Sequence, residues 1–93
     1  MNLEKVVNAP AEIRKFSESP DNSDYTRFMV LELGNARLSF GEYMTRNGYE
    51  EAGDLYIQSG TLLSDMAINQ TAQTDTLQEV ADLEEAALSL LTE

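Results

Sequence analysis

The sequence contains no cysteine, no histidine and no tryptophan. Without cysteine there is no disulfide framework and no thiolate metal site, and without histidine the usual zinc sites and the commonest general base are excluded. No apolar run approaches the roughly 20 residues that a membrane-spanning helix needs. Residues 1–5 lack the basic and then apolar pattern of a secretory signal. We therefore expect no metal, no cofactor, no membrane segment and a cytoplasmic location.

Basic residues are few, and all of them lie in the first half of the chain. The formal net charge is −11, from six Lys and Arg against 17 Asp and Glu. Residues 1–48 hold all six bases and seven acids, whereas residues 49–93 hold ten acids and no base. The acidic second half repels nucleic acid, because nucleic-acid binding relies on Lys and Arg. The same half attracts a basic protein surface. An acidic surface that only keeps a small protein in solution explains the charge equally well.

Acidic side chains cluster at two places, Glu50, Glu51 and Asp54 and then Asp82, Glu84 and Glu85. We expect both groups to be exposed, and carboxylates spaced in this way form a solvated surface far more often than an acid–base pair. No glycine-rich phosphate loop is present either. The sequence therefore predicts a protein without enzymatic activity, in which the two acidic groups are candidates for contact with a partner.

The glycines form two series with a spacing of seven, Gly34, Gly41 and Gly48 and then Gly53 and Gly60. Seven residues is close to two helical turns, so each series runs down one side of a helix. A turn at Asn47-Gly48 folds the two helices into a hairpin. Gly41 then lies opposite Gly53, and two turns further out Gly34 lies opposite Gly60. Since glycine costs about 1 kcal/mol against alanine inside a helix, facing pairs predict a close contact between two helices.

We predict an all-α fold, a small helical bundle in a single domain of residues 1–93. Its centre is the antiparallel hairpin, with helices at about 24–46 and 49–68. A short helical segment at 1–18 precedes it. A linker at 69–75 and a C-terminal segment at 76–93, helical to about 91, follow it.

Local signals place the ends of these helices. The run Asn8-Ala9-Pro10 predicts a break in the N-terminal segment, with Pro10 in the first turn of a new short helix. The first hairpin helix begins either at Ser19 or at Ser23–Asp24, and we favour the later start. Residues 76–79 match a capping box that starts the last helix at Thr76.

The first hairpin helix carries more apolar surface than one neighbour can cover. An apolar stripe with helical spacing is formed by Met29, Leu33, Ala36, Phe40 and Tyr43. Beside it run the glycines, and beyond them Leu31 and Leu38. We expect such a helix to be covered on more than one side, with Leu31 and Leu38 as partner-binding candidates and a second copy of the chain covering what remains. This predicts a homo-oligomer, with a dimer as the simplest form. We also expect most of the four tyrosines to lie in the core.

Arg37 lies between the apolar stripe and the glycine series, on a part of the helix that should be covered. A buried guanidinium needs a partner. One interpretation is a salt bridge to the acidic second half, for example to Asp54 or to an acid of the last helix. Another is an anion site for a phosphate or a partner carboxylate. A third is that Arg37 is exposed.

Two stretches resemble known families. Residues 36–56, ARLSFGEYMTRNGYEEAGDLY, resemble one tetratricopeptide unit with a turn one residue short, but no second repeat follows. Residues 30–38, VLELGNARL, resemble the helical hairpin of phage anti-defence proteins that sequester cyclic nucleotides, through Leu33, Ala36, Arg37 and Leu38. The second resemblance implies a small-ligand binder that uses Arg37.

The sequence thus leads to one main hypothesis about function and to alternatives. The main one is a small acidic helical module, an adaptor or inhibitor that binds another protein, for example one with a basic surface, without catalysis. The alternatives are phage-type anti-defence proteins, either an acidic mimic of nucleic acid or a sponge for a nucleotide-like ligand. Salt-sensitive binding to a basic protein would favour the mimic, and stabilisation by nucleotides would favour the sponge.

Overall fold

The computed structural model describes residues 3–18, 23–69 and 73–92, and it gives the backbone alone for residues 3–7 and Tyr25. Four helices make up this part of the chain: α1 (Leu3–Glu18), α2 (Asp24–Arg46), α3 (Glu50–Asn69) and α4 (Thr74–Thr92). No strand occurs among the described residues. The prediction of an all-α bundle built on a hairpin is therefore confirmed. No helix in the described ranges has the length and apolar character needed to cross a membrane.

Helix α1 is one continuous helix, and the predicted break before Pro10 is wrong. Pro10 lies inside α1 and is buried. A proline in a helix interior removes one backbone hydrogen bond and crowds the carbonyl four residues earlier, at a cost of about 3 kcal/mol. Local propensity therefore opposes this helix. The free energy gained when α1 packs against the rest of the protein offsets the cost of Pro10.

Ser23 begins α2, as the later of the two predicted starts requires. Its hydroxyl accepts a hydrogen bond from the backbone N–H of Thr26 at 3.3 Å, which satisfies one of the unpaired donors of the first turn. The alternative start at Ser19 lies outside the described residues. The helix ends at Arg46, so both ends agree with the prediction.

The turn between α2 and α3 is a Schellman motif. The N–H of Tyr49 donates to the carbonyl of Met44 at 2.9 Å, and the N–H of Gly48 donates to that of Thr45 at 3.2 Å. Gly48 has a φ of +91°, a conformation that side chains other than glycine rarely adopt. The predicted turn at Asn47-Gly48 is confirmed in position and in mechanism.

The predicted glycine pairs face each other across the hairpin. A Cβ atom added at Gly41 would lie 2.7 Å from the carbonyl oxygen of Gly53 and 2.9 Å from the backbone nitrogen of Ile57. A Cβ atom added at Gly34 would lie 2.9 Å from the carbonyl oxygen of Gly60. These neighbours are backbone atoms that cannot turn aside, so only glycine allows this approach of α2 to α3.

Helix α4 begins at Thr74, two residues before its predicted start. The N–H of Leu77 donates to the carbonyl of Gln73 at 2.9 Å, so the first helical bond starts at Gln73. Thr76 is inside the first turn, where its hydroxyl lies 3.4 Å from the side-chain oxygen of Gln73. The predicted capping box at Thr76 is therefore wrong, because the helix extends one half turn further back than that cap allows. The predicted linker is shortened accordingly, and residues 70–72 of it lie outside the description.

The helices pack in the order α2, α3, α4, α1. Helix α3 packs on both α2 and α4, and α1 packs on α4. The Cα atoms of α1 and α2 remain more than 8 Å apart throughout. The larger part of the core contains Ile13, Val30, Leu63, Met66, Ala67, Leu77, Val80 and Ala81, and a smaller part contains Ala52, Tyr56 and Ala87. Helices α3 and α4 thus form a floor, with α1 and α2 as two separate walls.

Candidate functional site: a groove between helices α1 and α2

The space between the two walls is an open apolar groove. It consists of two cavities of about 380 Å³ and 290 Å³. Both are lined by Ala9 and Glu12 of α1 and by Leu33 and Arg37 of α2, so they form one continuous groove. Tyr56 and Glu84 lie at the floor of the larger cavity. Cavities of this size with mostly apolar walls are typical of binding sites.

Four of the five residues of the α2 stripe line this groove, and the chain's own helices cover the stripe only in part. Met29 is 43% exposed and Tyr43 is 53% exposed, while Ala36 is also exposed and Leu33 and Phe40 are half-buried. The side of α2 that is buried instead carries Val30, Gly34, Gly41 and Met44. Within the chain the stripe is covered in part: Leu33 and Phe40 pack against the two parts of the core, whereas Met29, Ala36 and Tyr43 stay exposed.

A buried ion pair occupies the floor of the groove, between the two parts of the core. The guanidinium of Arg37 donates two hydrogen bonds to the carboxylate of Glu84, one from Nε to Oε1 and one from Nη2 to Oε2 at 3.4 Å. Arg37 also donates to the carbonyl of Leu33 at 3.2 Å, and the hydroxyl of Ser59 donates to Glu84 at 3.2 Å. The side chains of Arg37 and Glu84 are 11% and 1% exposed.

This pair settles which interpretation of Arg37 holds. The guanidinium is bound to an acid of the last helix, so the salt-bridge hypothesis is confirmed, with Glu84 as the partner. The expectation that Glu84 is exposed is wrong, since the residue is fully buried. A buried carboxylate needs several donors, and Arg37 and Ser59 supply them.

Tyr56 lies beside this ion pair with its hydroxyl unused. The residue is 3% exposed, and its Oη atom makes no hydrogen bond with any described residue. The ring packs edge to face against Phe40, with centroids 4.7 Å apart. Leaving a buried hydroxyl without a partner costs about 1–3 kcal/mol. The groove therefore contains one polar group that the described protein does not satisfy.

The surroundings of the Tyr56 hydroxyl oppose its ionisation. Burial and, to a smaller extent, the charge of Glu84 raise the pKa of Tyr56 to about 12, against a smaller opposing effect of Arg37. Arg37 is already bound to Glu84, and Glu12 is exposed on the opposite wall. With one cation and two anions lining it, the larger cavity has a formal charge of −1.

Besides Glu84, two more of the predicted acidic candidates make contacts within the chain. Arg14 of α1 donates to Glu85 of α4 at 2.9 Å through Nε and Nη2, and it also donates to Asp82. These bonds lower the pKa of Glu85. Asp82 and Glu85 therefore join α1, one wall of the groove, to α4.

The remaining candidates lie elsewhere and do not form a single site. Glu50, Glu51 and Asp54 are exposed at the start of α3, where Asp54 accepts a hydrogen bond from Gln58 at 2.8 Å. Leu31 and Leu38 are half-buried on the side of α2 away from the groove. Of all the predicted site residues, Arg37 and Glu84 alone line the groove.

The tyrosines are less buried than predicted. Tyr43 and Tyr49 are 53% and 54% exposed, so the expectation that most tyrosines lie in the core is wrong for both. Tyr56 is buried as expected, and the side chain of Tyr25 lies outside the description. Tyr43 follows the same side of α2 as the exposed stripe, which explains its exposure.

Sequence reasoning did not identify Glu12, Phe40 or Tyr56 as site residues. The signal that pointed to Phe40 was the stripe of α2, which was assigned to the core. Glu12 carried no signal, because its place in the site depends on where α1 packs. Among the described residues, no group of three or more acidic side chains is placed to hold a metal ion.

No protein-family model, curated protein or solved structure matches this chain.

Proposed function

We propose that this protein is a non-catalytic interaction module that binds an amphipathic helix of another protein in the groove between α1 and α2. The observation that carries the proposal is the half-exposed apolar stripe of α2, which faces α1 across a gap that no other described element fills. An amphipathic helix binds such a groove through apolar residues spaced three and four apart. The stripe of α2 offers apolar contacts with the same spacing over several turns.

The negative charge of the protein favours a partner helix that carries positive charge. The chain has a formal net charge of −11, and Glu12 is exposed in the wall of the groove. A partner helix with Lys and Arg beside its apolar face is therefore attracted and oriented, whereas an acidic one is repelled. A nucleotide phosphate fits this groove less well, because Arg37 is already neutralised by Glu84.

The proposal is tested with two synthetic helical peptides that share a leucine and alanine face. One carries lysine on its polar face and the other carries glutamate. We expect the lysine peptide to bind at least tenfold more tightly at low salt, and the difference to shrink as salt screens the charges. Isothermal titration calorimetry measures both affinities. Equal affinities, or no binding of either peptide, would contradict the proposal.

A matched pair of variants locates the binding. Ala36 is exposed and lines the groove, while its neighbour Asn35 is exposed outside it. Ala36→Trp places a large ring in the groove and should weaken lysine-peptide binding at least tenfold. Asn35→Trp adds the same ring nearby and should leave the affinity within about twofold. Since the chain has no other tryptophan, fluorescence also reports whether each new ring is covered by the peptide.

A further inference from the structure

We propose that the partner helix places a lysine or arginine side chain from within its apolar face into the larger cavity, between Glu12 and the Tyr56 hydroxyl. This inference rests on the proposed function and names the group that the groove recognises. A continuous apolar face would fill the groove without using its polar floor. Glu12, Tyr56 and Glu84 line one cavity, and together these polar side chains suit a positively charged group of the partner.

The first argument is the unused hydroxyl of Tyr56. This oxygen is buried and has no partner among the described residues, and the residue that carries it lines the larger cavity. A phenol can accept a hydrogen bond from an ammonium or guanidinium group. A donor that reaches it from the partner removes the cost of the unsatisfied group and gains a charge-assisted hydrogen bond.

The second argument is the sign of the charge in the cavity. Glu84 outweighs Arg37 in its effect on Tyr56, and Glu12 on the opposite wall adds a second negative charge. A carboxylate placed here would meet two carboxylates and a cation that is already paired. A cation meets Glu12 directly and the neutralised Arg37–Glu84 pair beneath it.

The third argument is the shape and the lining of the cavity. Leu33, Ala36 and Phe40 form apolar sides around the polar floor. The long methylene stem of lysine or arginine packs on such sides while its charged end reaches the polar groups. The rings of Phe40 and Tyr56 are also suited to a nearby cation. A short polar side chain lacks the stem to do both.

The experiment compares peptides that differ in one residue of the apolar face. A single lysine is moved through each position of that face, and at each position it is compared with norleucine, which has the same chain length without the charge. We expect one position at which lysine binds about tenfold more tightly than norleucine. At the other positions norleucine should bind more tightly, because lysine is then buried without a partner.

Variants then show whether the favoured lysine lies where we place it. Tyr56→Phe removes the hydroxyl and Glu12→Gln removes the charge, and each should reduce the preference for lysine at least threefold. Glu18 is an exposed acid on the same helix that does not line the groove, so Glu18→Gln should leave the preference unchanged. Norleucine-peptide binding to Tyr56→Phe serves as the test that the variant is folded.

The outcomes separate this inference from the proposed function. Binding in the groove with norleucine preferred at every position would overturn the inference and leave the proposed function intact. A favoured lysine that is insensitive to Tyr56→Phe and to Glu12→Gln would also overturn it. If no peptide of the set binds, both the proposed function and the inference are wrong.

Discussion

Arg37 and Glu84 are the residues on which the floor of the groove depends. They are 47 positions apart, and each satisfies the other in a site that excludes most water. Arg37 could be singled out from its place on the helical wheel. Glu84 could not, since its burial follows from how α4 is rotated against α3, and that rotation is determined by the packing of residues from four helices.

Breaking this pair on one side should be more damaging than removing both partners. We expect Arg37→Met to lower the free energy of unfolding by about 3–5 kcal/mol, because it leaves the Glu84 carboxylate buried without its cation. The double variant Arg37→Met with Glu84→Met should recover a large part of that loss. Urea unfolding of the parent, both single variants and the double variant measures the effect. A double variant as unstable as the sum of the two single variants would contradict a coupled pair.

Tyr56 should make the stability of the folded protein depend on pH in the alkaline range. Its pKa is about 12 in the folded protein against the ordinary value of 10, so the unfolded chain loses the proton first. The ionisation of this hydroxyl therefore does not change stability below pH 10, and stability falls by about 1.4 kcal/mol for each pH unit between the two pKa values. We expect Tyr56→Phe to remove this part of the loss. Urea unfolding at pH 9, 10 and 11 compares the two proteins, and parallel curves would show that the assignment is wrong.

At the scale of the helices, the hairpin and the last helix were predictable, whereas the course of α1 was not. The capping signal at Ser23, the turn at Asn47-Gly48 and the glycines seven apart are local signals, and they predicted the bounds of α2 and its contact with α3. The path of α1 through Pro10 runs against local propensity, and tertiary packing decided it. The direction in which the α2 stripe points was missed for a related reason. Periodicity shows that a surface is apolar but not whether the chain has a helix to cover it.

The glycine contact predicts a strong effect from a small substitution. Gly41→Leu should prevent α2 and α3 from approaching, since even a Cβ atom there would lie 2.7 Å from the Gly53 carbonyl oxygen. We expect a loss of more than about 3 kcal/mol, which exceeds the gain of about 1 kcal/mol in helix propensity. Asn35→Ala, at an exposed position of the same helix, is the control and should be neutral or stabilising. Thermal unfolding followed by circular dichroism decides, and a Gly41→Leu variant as stable as the parent would exclude close packing.

At the scale of the whole molecule, the predicted homodimer stays a prediction. A second apolar surface lies opposite the groove at the end of the hairpin, where Phe28 and Ile68 are 59% and 68% exposed. Asp24 and Arg27 border it and pair with each other at 3.3 Å, so an apolar centre with a polar edge is available to a copy related by a two-fold axis.

We expect a dimer through this surface that persists at high salt, because its centre is apolar. Light scattering after size-exclusion chromatography measures the mass, and Ile68→Ser should yield a monomer. The exposed Leu90 on α4 provides the control, since Leu90→Ser should leave the dimer intact. A parent protein that is monomeric at every concentration would contradict the prediction.

The central claim is that the groove between α1 and α2 receives a basic amphipathic helix, and the three isoleucines of the chain test it directly. Ile13 lines the groove, Ile57 packs in the hairpin and Ile68 lies on the opposite surface. In a methyl spectrum of isoleucine-labelled protein, the lysine peptide should shift the signal of Ile13 and leave those of Ile57 and Ile68 in place. A shift at Ile68 with Ile13 unchanged would place the binding surface on the other side of the molecule and contradict the account.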